Sequence, residues 1–126
     1  MRFATVMRMS PNQRWVGLAL LSCLWLGMGC ANVEGARFYQ TGTLALDAGD
    51  AELAVQHLER AAELVPDASE VHNHLGMAYA ASGRHAAALG AFRRAVAIDC
   101  DNQPAQRNLA AAEGYAAHLT EAVRER

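Results

Sequence analysis

The sequence predicts an all-α protein, in which a short solenoid of antiparallel helix pairs follows an N-terminal signal or hydrophobic helix. Three observations predict this fold class. Alanine makes up roughly a fifth of the 126 residues and aromatic residues only 6%, a composition that favours helix over sheet. The sequence repeats itself at a spacing of 34 residues. Apolar residues near the C-terminus recur three and four positions apart, as they do on one face of a helix.

The overall charge is slightly negative, with a formal net charge of −2 at pH 7 and no lysine among the 11 basic residues. A nucleic-acid-binding protein is not expected, because the chain has no basic excess with which to displace counterions from phosphates. Hydrophobic residues form 52% of the sequence, which is too many for a disordered chain. The length allows one small domain.

Residues 1–29 have the layout of a signal peptide. They contain no acidic residue, and Arg2, Arg8 and Arg14 precede an apolar run from Trp15 to Met28. The run is shorter than the roughly 20 residues that cross a bilayer, which favours an export signal over a permanent anchor. An N-terminal helix that stays uncleaved in the membrane is the alternative.

A small residue precedes Cys30 at the end of the apolar run, in Leu26-Gly27-Met28-Gly29-Cys30, and polar residues follow. This arrangement resembles a bacterial lipoprotein signal, which implies that Cys30 is acylated and becomes the new N-terminus. The family prefers leucine where this chain has Gly27. Leu20-Leu21-Ser22-Cys23 meets that preference, so Cys23 is the second choice for lipidation. A third interpretation is that both cysteines are ordinary apolar residues of a hydrophobic helix.

The resemblance implies a protein of the bacterial cell envelope that is lipid-anchored and faces the periplasm, with residues 30–34 as a linker. Inner-membrane anchoring and secretion are the alternatives. Cleavage removes three arginines and no acid, so the mature chain is expected to be more negative by three charges. Cys100 then has no thiol to pair with, and no internal disulfide is expected.

The 34-residue repeat is defined by Gly42, which aligns with Gly76. Small and apolar positions carry the agreement while the intervening positions differ, as a packing constraint would require. The identical pairs are Gly42/Gly76, Gly49/Gly83, Ala54/Ala88, Arg60/Arg94, Ala61/Ala95 and Asp67/Asp101.

Each repeat is predicted to form two antiparallel helices. In repeat 1, residues 35–68, the first helix runs from about 33 to 48 and Gly49 ends it. Asp50 is expected to cap the second helix, which ends before Pro66. The turn glycine supplies a left-handed backbone conformation at little steric cost.

Repeat 2, residues 69–102, follows the same plan. Ser69 is expected to cap a helix that runs to Ser82, and Gly83 makes the turn. The second helix covers about residues 85–98.

The small residues are expected to form one narrow face on which the helices of a pair approach closely. Gly42 and Gly76 supply it from the first helix of each pair, and Ala54, Ala61, Ala88 and Ala95 supply it from the second. Larger side chains fill the space between, namely Phe38, Leu58 and Leu64 in repeat 1 and Leu75, Tyr79, Phe92 and Ile98 in repeat 2.

The period and these positions resemble the tetratricopeptide repeat. Repeat 2 is the better match, with Leu75-Gly76-Met77-Ala78-Tyr79 followed by Ala88, Phe92 and Ala95. It departs from the family at His72, which replaces the usual Trp, and at Cys100, which replaces the terminal Pro. Repeat 1 has Thr41 for the usual Leu and Ala45 for the aromatic residue. The resemblance extends in weaker form into the tail.

Residues 103–126 are predicted to form a C-terminal capping helix, a degenerate third repeat. Apolar residues lie on one helical face at Leu109, Ala112, Ala116, Leu119 and Val123. Pro104 suits the first turn of this helix. Gly114 lies within it and indicates either a kink or a close contact.

Neither an enzyme nor a metal or cofactor site is expected. His72 and His74 are two residues apart, whereas a metal-binding pair on a helix needs a spacing of four. The segment 99–102 is interpreted as a turn rather than a calcium loop, since the glycine and the closing glutamate of such a loop are missing. No phosphate-binding loop, nucleophile elbow or catalytic carboxylate pair is present.

The resemblance to the tetratricopeptide repeat implies a concave groove, lined by the first helix of each repeat, that binds an extended or helical peptide. The groove positions of this chain are Tyr39, Thr43, Leu46, Asp47, Asn73, Met77, Ala80, Ala81, Arg107, Ala111 and Tyr115. A clamp for a terminal carboxylate, which some members have, is not expected here because the groove contains no lysine.

The predicted function is therefore that of a non-enzymatic adaptor, which binds another envelope protein or peptide and assists the assembly of an envelope machine. A structural subunit of an oligomeric complex is the alternative. Two repeats and a capping helix enclose a small core. Docking on a partner or on a second copy is expected to cover the exposed flank of repeat 1.

Overall fold

The structure is a computed structural model that describes residues 32–126, and every regular element in that range is an α-helix. The expected signal peptide, Cys23 and Cys30 lie outside the described residues. We number the helices α1 to α5 in chain order. They cover 32–47 (α1), Ala51–Leu64 (α2), Ser69–Ala81 (α3), His85–Ile98 (α4) and Gln103–Arg124 (α5). The first two form one predicted antiparallel hairpin, with Gly42 against Leu58, the next two form the other, and α5 packs on the second hairpin.

The two tight turns have the predicted chemistry. Gly49 and Gly83 have φ angles of +81° and +78°, in the left-handed region that favours glycine. At the start of α2, an Oδ1 atom of Asp50 accepts a hydrogen bond from the Leu53 amide at 3.1 Å. The cap predicted at Asp50 is therefore confirmed, and it satisfies one of the amides that a helix start leaves unpaired.

The cap predicted at Ser69 is wrong. Ser69 is the first residue of α3 rather than its cap, and it is buried. Its hydroxyl donates to the Ala95 carbonyl at 3.0 Å and accepts from the Asn102 side-chain amide at 2.8 Å. Because these partners lie at the end of α4 and just before α5, the hydroxyl joins three helices instead of capping one.

The narrow packing face predicted from the small residues is confirmed. A Cβ atom on Gly42 would lie 2.6 Å from Leu58 Cγ, and one on Gly76 would lie 2.5 Å from Phe92 Cε1. The four repeat alanines of α2 and α4, which are Ala54, Ala61, Ala88 and Ala95, are buried. The helices of each hairpin therefore cross at a distance that only a residue without a side chain permits.

Two boundaries differ from the sequence prediction. Residues 32–34, assigned to a linker over 30–34, are helical and belong to α1. A Cβ atom on Gly114 would have no neighbour within 4 Å, and α5 continues through this glycine, so it marks no close contact. His72 is half-buried at its repeat position, where Nε2 bonds to the Pro66 carbonyl at 2.9 Å.

The capping helix covers the second hairpin with its first half only. Ala105 is buried, and Asn108, Leu109, Ala112 and Ala116 are half-buried. Every residue from 117 onwards is exposed, including Leu119 at 46% and Val123 at 75%. Within residues 32–126, no helix combines the length and the apolar character that a bilayer crossing needs.

Two glycine substitutions test the close helix crossing. Gly76→Ala should lower the free energy of unfolding by about 1–3 kcal/mol, because the added methyl group would overlap the Phe92 ring. The matched control is Gly90→Ala on the exposed side of α4, where nothing lies within 4 Å. It should raise stability by up to about 1 kcal/mol through helix propensity alone. Urea unfolding followed by circular dichroism measures both, and equal stability of the two variants would contradict the crossing.

Candidate partner-binding groove

Two parallel helices, α3 and α5, form a groove that we call the α3–α5 valley. They run in the same direction because each is antiparallel to α4 between them. Residues three and four apart share a helix face, so each helix presents a row of side chains. One row of α3 lies opposite one row of α5. The valley is lined by Glu70, Asn73, Met77 and Ala80 from α3 and by Pro104, Asn108, Ala111 and Tyr115 from α5.

The apolar end of the valley is a cleft of about 350 Å³. Met77 and Ala80 form one wall, and Ala111 and Tyr115 form the other. The side chains of Met77 and Tyr115 are 38% and 45% exposed, although both are large and apolar. All four residues are predicted groove positions, and the structure brings them together.

Residues of α4 form the floor and one edge of the cleft. Ala88 and Phe92 are buried beneath it. The His85 ring lies against the Tyr115 ring, with centroids 4.4 Å apart and planes inclined by 49°. This contact places the side chain of Tyr115 at the mouth of the cleft.

The middle of the valley is closed by an amide pair. The Asn108 side-chain amide donates to Oδ1 of Asn73 at 2.9 Å. Asn73 is only 5% exposed, which corrects its assignment as a residue that faces a partner. It joins α3 to α5 instead, because a buried amide must find its hydrogen-bond partner inside the protein.

The opposite end of the valley is acidic. Glu70 of α3 lies beside Asp99 and Asp101 of the α4–α5 connection, and the three line one concavity with His74. Burial, and then the negative charge of Glu70, raise the pKa of the Tyr39 phenol above its ordinary value.

The predicted groove positions of repeat 1 do not join the apolar cleft. Tyr39 is half-buried against α3, with its hydroxyl 3.2 Å from His74 Nδ1. Thr43 donates to the Gln40 carbonyl of its own helix, and Leu46 packs on the core. Asp47 is exposed at the end of α1.

The two remaining predicted groove positions, Ala81 and Arg107, are exposed but do not line the cleft. Arg107 is the repeat counterpart of Asn73, yet the residue that meets Asn73 is the next one, Asn108. The repeat register alone could not find Asn108 or His85, because both act across helices. Among residues 32–126, no group of three or more His, Cys, Asp or Glu side chains could hold a metal ion.

The stacked hairpins with a 34-residue period define an α-helical repeat protein. The sequence profile of the tetratricopeptide repeat matches residues 39–106, more than half of the sequence. The chain therefore belongs to the tetratricopeptide repeat family. No curated protein matches the sequence at a significant level. The family is in general a non-enzymatic fold that mediates interactions between proteins.

The amide pair can be tested by a double-mutant cycle. Asn73→Ala should cost about 1–3 kcal/mol of unfolding free energy, because it removes a buried hydrogen bond and leaves the Asn108 amide without its partner. Asn108→Ala should also destabilise, and the double variant should lose less than the sum of the two single losses. Urea unfolding of the four proteins measures the difference. Additive losses would show that the two amides do not interact.

Proposed function

We propose that this protein is a non-enzymatic adaptor of the bacterial cell envelope, lipid-anchored at Cys30, that binds a peptide or helix of another envelope protein in the α3–α5 valley. The observation that carries the proposal is the apolar cleft between Met77 and Tyr115, which is open to solvent above the buried Ala88 and Phe92. Exposed apolar side chains that surround a concavity are typical of binding sites. Assistance in the assembly of an envelope machine is the role that we propose for such an adaptor.

The cleft suits a side chain of a partner better than a free small molecule. Met77 and Tyr115 are exposed at its mouth, so one side chain of a bound segment can enter the cleft while the rest of the segment stays outside. Its floor of Ala88 and Phe92 belongs to the core of the second hairpin, and the floor does not have to be ordered on binding. A large apolar side chain placed there would bury Met77 and Tyr115 together.

The envelope location is supported by the sequence of residues 1–30 alone. Several acyl chains on Cys30 would give stable attachment, since one chain holds a protein only marginally. Helix α1 is already formed at residue 32, so repeat 1 would lie directly at the membrane surface. Lipidation at Cys23, an uncleaved anchor helix and secretion are the alternatives.

Intact-mass measurement of protein extracted from membranes tests the anchor. We expect the mass of the chain from residue 30 with acyl groups attached, and Cys30→Ala should abolish that species because the acylated sulfur is lost. Cys23→Ala is the matched control and should leave the mass of the mature protein unchanged. A full-length mass without lipid would contradict the anchor and favour the uncleaved helix.

Photo-crosslinking in living cells tests the adaptor. A photoreactive amino acid at position 77 should form an adduct with another protein, whereas the same group at Glu63, exposed on α2, should not. Tyr115→Ala should lower the adduct yield several-fold, because it removes one wall of the cleft. Equal labelling from both positions, or none from position 77, would contradict the proposed groove.

A structural subunit of a homo-oligomer is the second candidate function. The observation that favours it is an apolar row on α5, formed by Tyr115, Leu119 and Val123, whose side chains are 45%, 46% and 75% exposed. A second copy could bury this row, since a two-fold interface joins the same patch of both subunits. The crosslink from position 77 separates the two candidates, because an adduct between two copies has twice the mass of the chain.

A further inference from the structure

We infer that the partner segment bound in the α3–α5 valley is cationic as well as apolar: an apolar residue fills the cleft and a lysine or arginine lies at the acidic end. This inference rests on the proposed function, because it describes the ligand of the same groove. The occupant is a basic and apolar peptide segment of another protein. Such a segment is complementary to a groove that has an apolar cleft at one end and three carboxylates at the other.

The negative charge at the acidic end is available to a ligand. Several other carboxylates of the protein are paired with arginine, including Glu52 with Arg84 and Glu113 with Arg93. Glu70, Asp99 and Asp101 are exposed and take part in none of the ion pairs between residues 32 and 126. Their charges are therefore not balanced locally.

Positive charge in and near the valley is scarce. Arg107 is the one basic residue among the predicted groove positions, and three carboxylates outnumber it. His74 lies in the same concavity, where Nδ1 bonds to the Glu70 carbonyl at 2.9 Å. A cationic ligand would gain binding free energy at this end, and the negative field would raise the rate at which it associates with the groove.

The spacing of the two ends sets the spacing of the ligand's two groups. Glu70 and Met77 are seven residues apart on α3, which corresponds to about 10 Å along the helix. An extended peptide advances about 3.3 Å per residue, so its apolar and basic residues would be about three positions apart. In a helical ligand the separation would be about seven positions. The Asn73–Asn108 pair between the ends is internally bonded and adds little selectivity.

Peptide selection on the full chain tests the inference. A display library of random peptides, long enough to bind as a strand or as a helix, is panned against the purified protein. We expect enrichment of sequences with an aromatic or aliphatic residue and a lysine or arginine at one of the two separations. A selected peptide is then synthesised with capped ends, and its affinity for the protein is measured by fluorescence anisotropy at low and high salt.

Matched variants show which end of the valley binds the basic residue of the ligand and which end binds the apolar one. Glu70→Gln with Asp101→Asn should weaken the selected peptide about tenfold and remove most of the salt dependence, because the cation loses its counter-charges. The control, Glu63→Gln with Glu121→Gln, removes the same charge from exposed positions that do not line the valley. It should change the affinity less than twofold. Met77→Ala with Tyr115→Ala should abolish binding.

The outcomes distinguish the inference from the function on which it rests. The selected peptides could depend on Met77 and Tyr115 and yet carry no basic residue, or bind equally well after the substitution of Glu70 and Asp101. Either result would overturn the inference and leave the adaptor function standing. No enrichment, or binding unaffected by Met77→Ala with Tyr115→Ala, would overturn both. Sedimentation that shows a dimer lost on Met77→Ala with Tyr115→Ala would also overturn the inference, because a second copy would then occupy the cleft.

Discussion

The contact between a glycine on one helix and a large side chain on the next determines how each hairpin is built. Phe92 lies where a side chain at position 76 would be, and Leu58 lies where one at position 42 would be. The benefit is close packing of two helix backbones, with buried alanines on either side of the crossing. Because the same contact occurs twice at the same spacing, the second hairpin repeats the geometry of the first.

The groove depends on this crossing indirectly. Phe92 is held beneath the valley by its contact with Gly76, and its outer surface forms the floor of the apolar cleft. The width of the valley depends on two polar links between the second hairpin and the tail, which are Ser69 with Asn102 and Asn73 with Asn108. A groove with apolar walls is thus positioned by hydrogen bonds, which define distances more sharply than apolar contacts do.

The sequence predicted the features that depend on local chemistry and on the repeat. The glycine turns, the cap at Asp50 and the small-residue crossing follow from backbone conformation and from a constraint that occurs twice. Met77 and Tyr115 were placed in the groove by register, and they do line one cleft.

Features that depend on a third helix were outside the reach of sequence reasoning. Ser69 and Asn73 have the residue types of a helix cap and of a groove contact, yet both are buried because α5 covers that end of α3. His85 and Asn108 were missed for the same reason, since each makes its contact with a residue of another helix. The lipidation of Cys30 depends on recognition by other proteins, which packing does not reveal.

The bare second half of α5 gives the molecule an uneven distribution of local stability. In a solenoid each helix is held mainly by its neighbours, and every residue of the described chain from 117 onwards is exposed. Their amides should exchange with solvent long before those of α3 and α4, through fraying that leaves the rest of the fold intact. Any molecule that binds this part of α5 would have to order it first, at an entropic cost. Binding in the apolar cleft avoids that cost, because the cleft lies against the core.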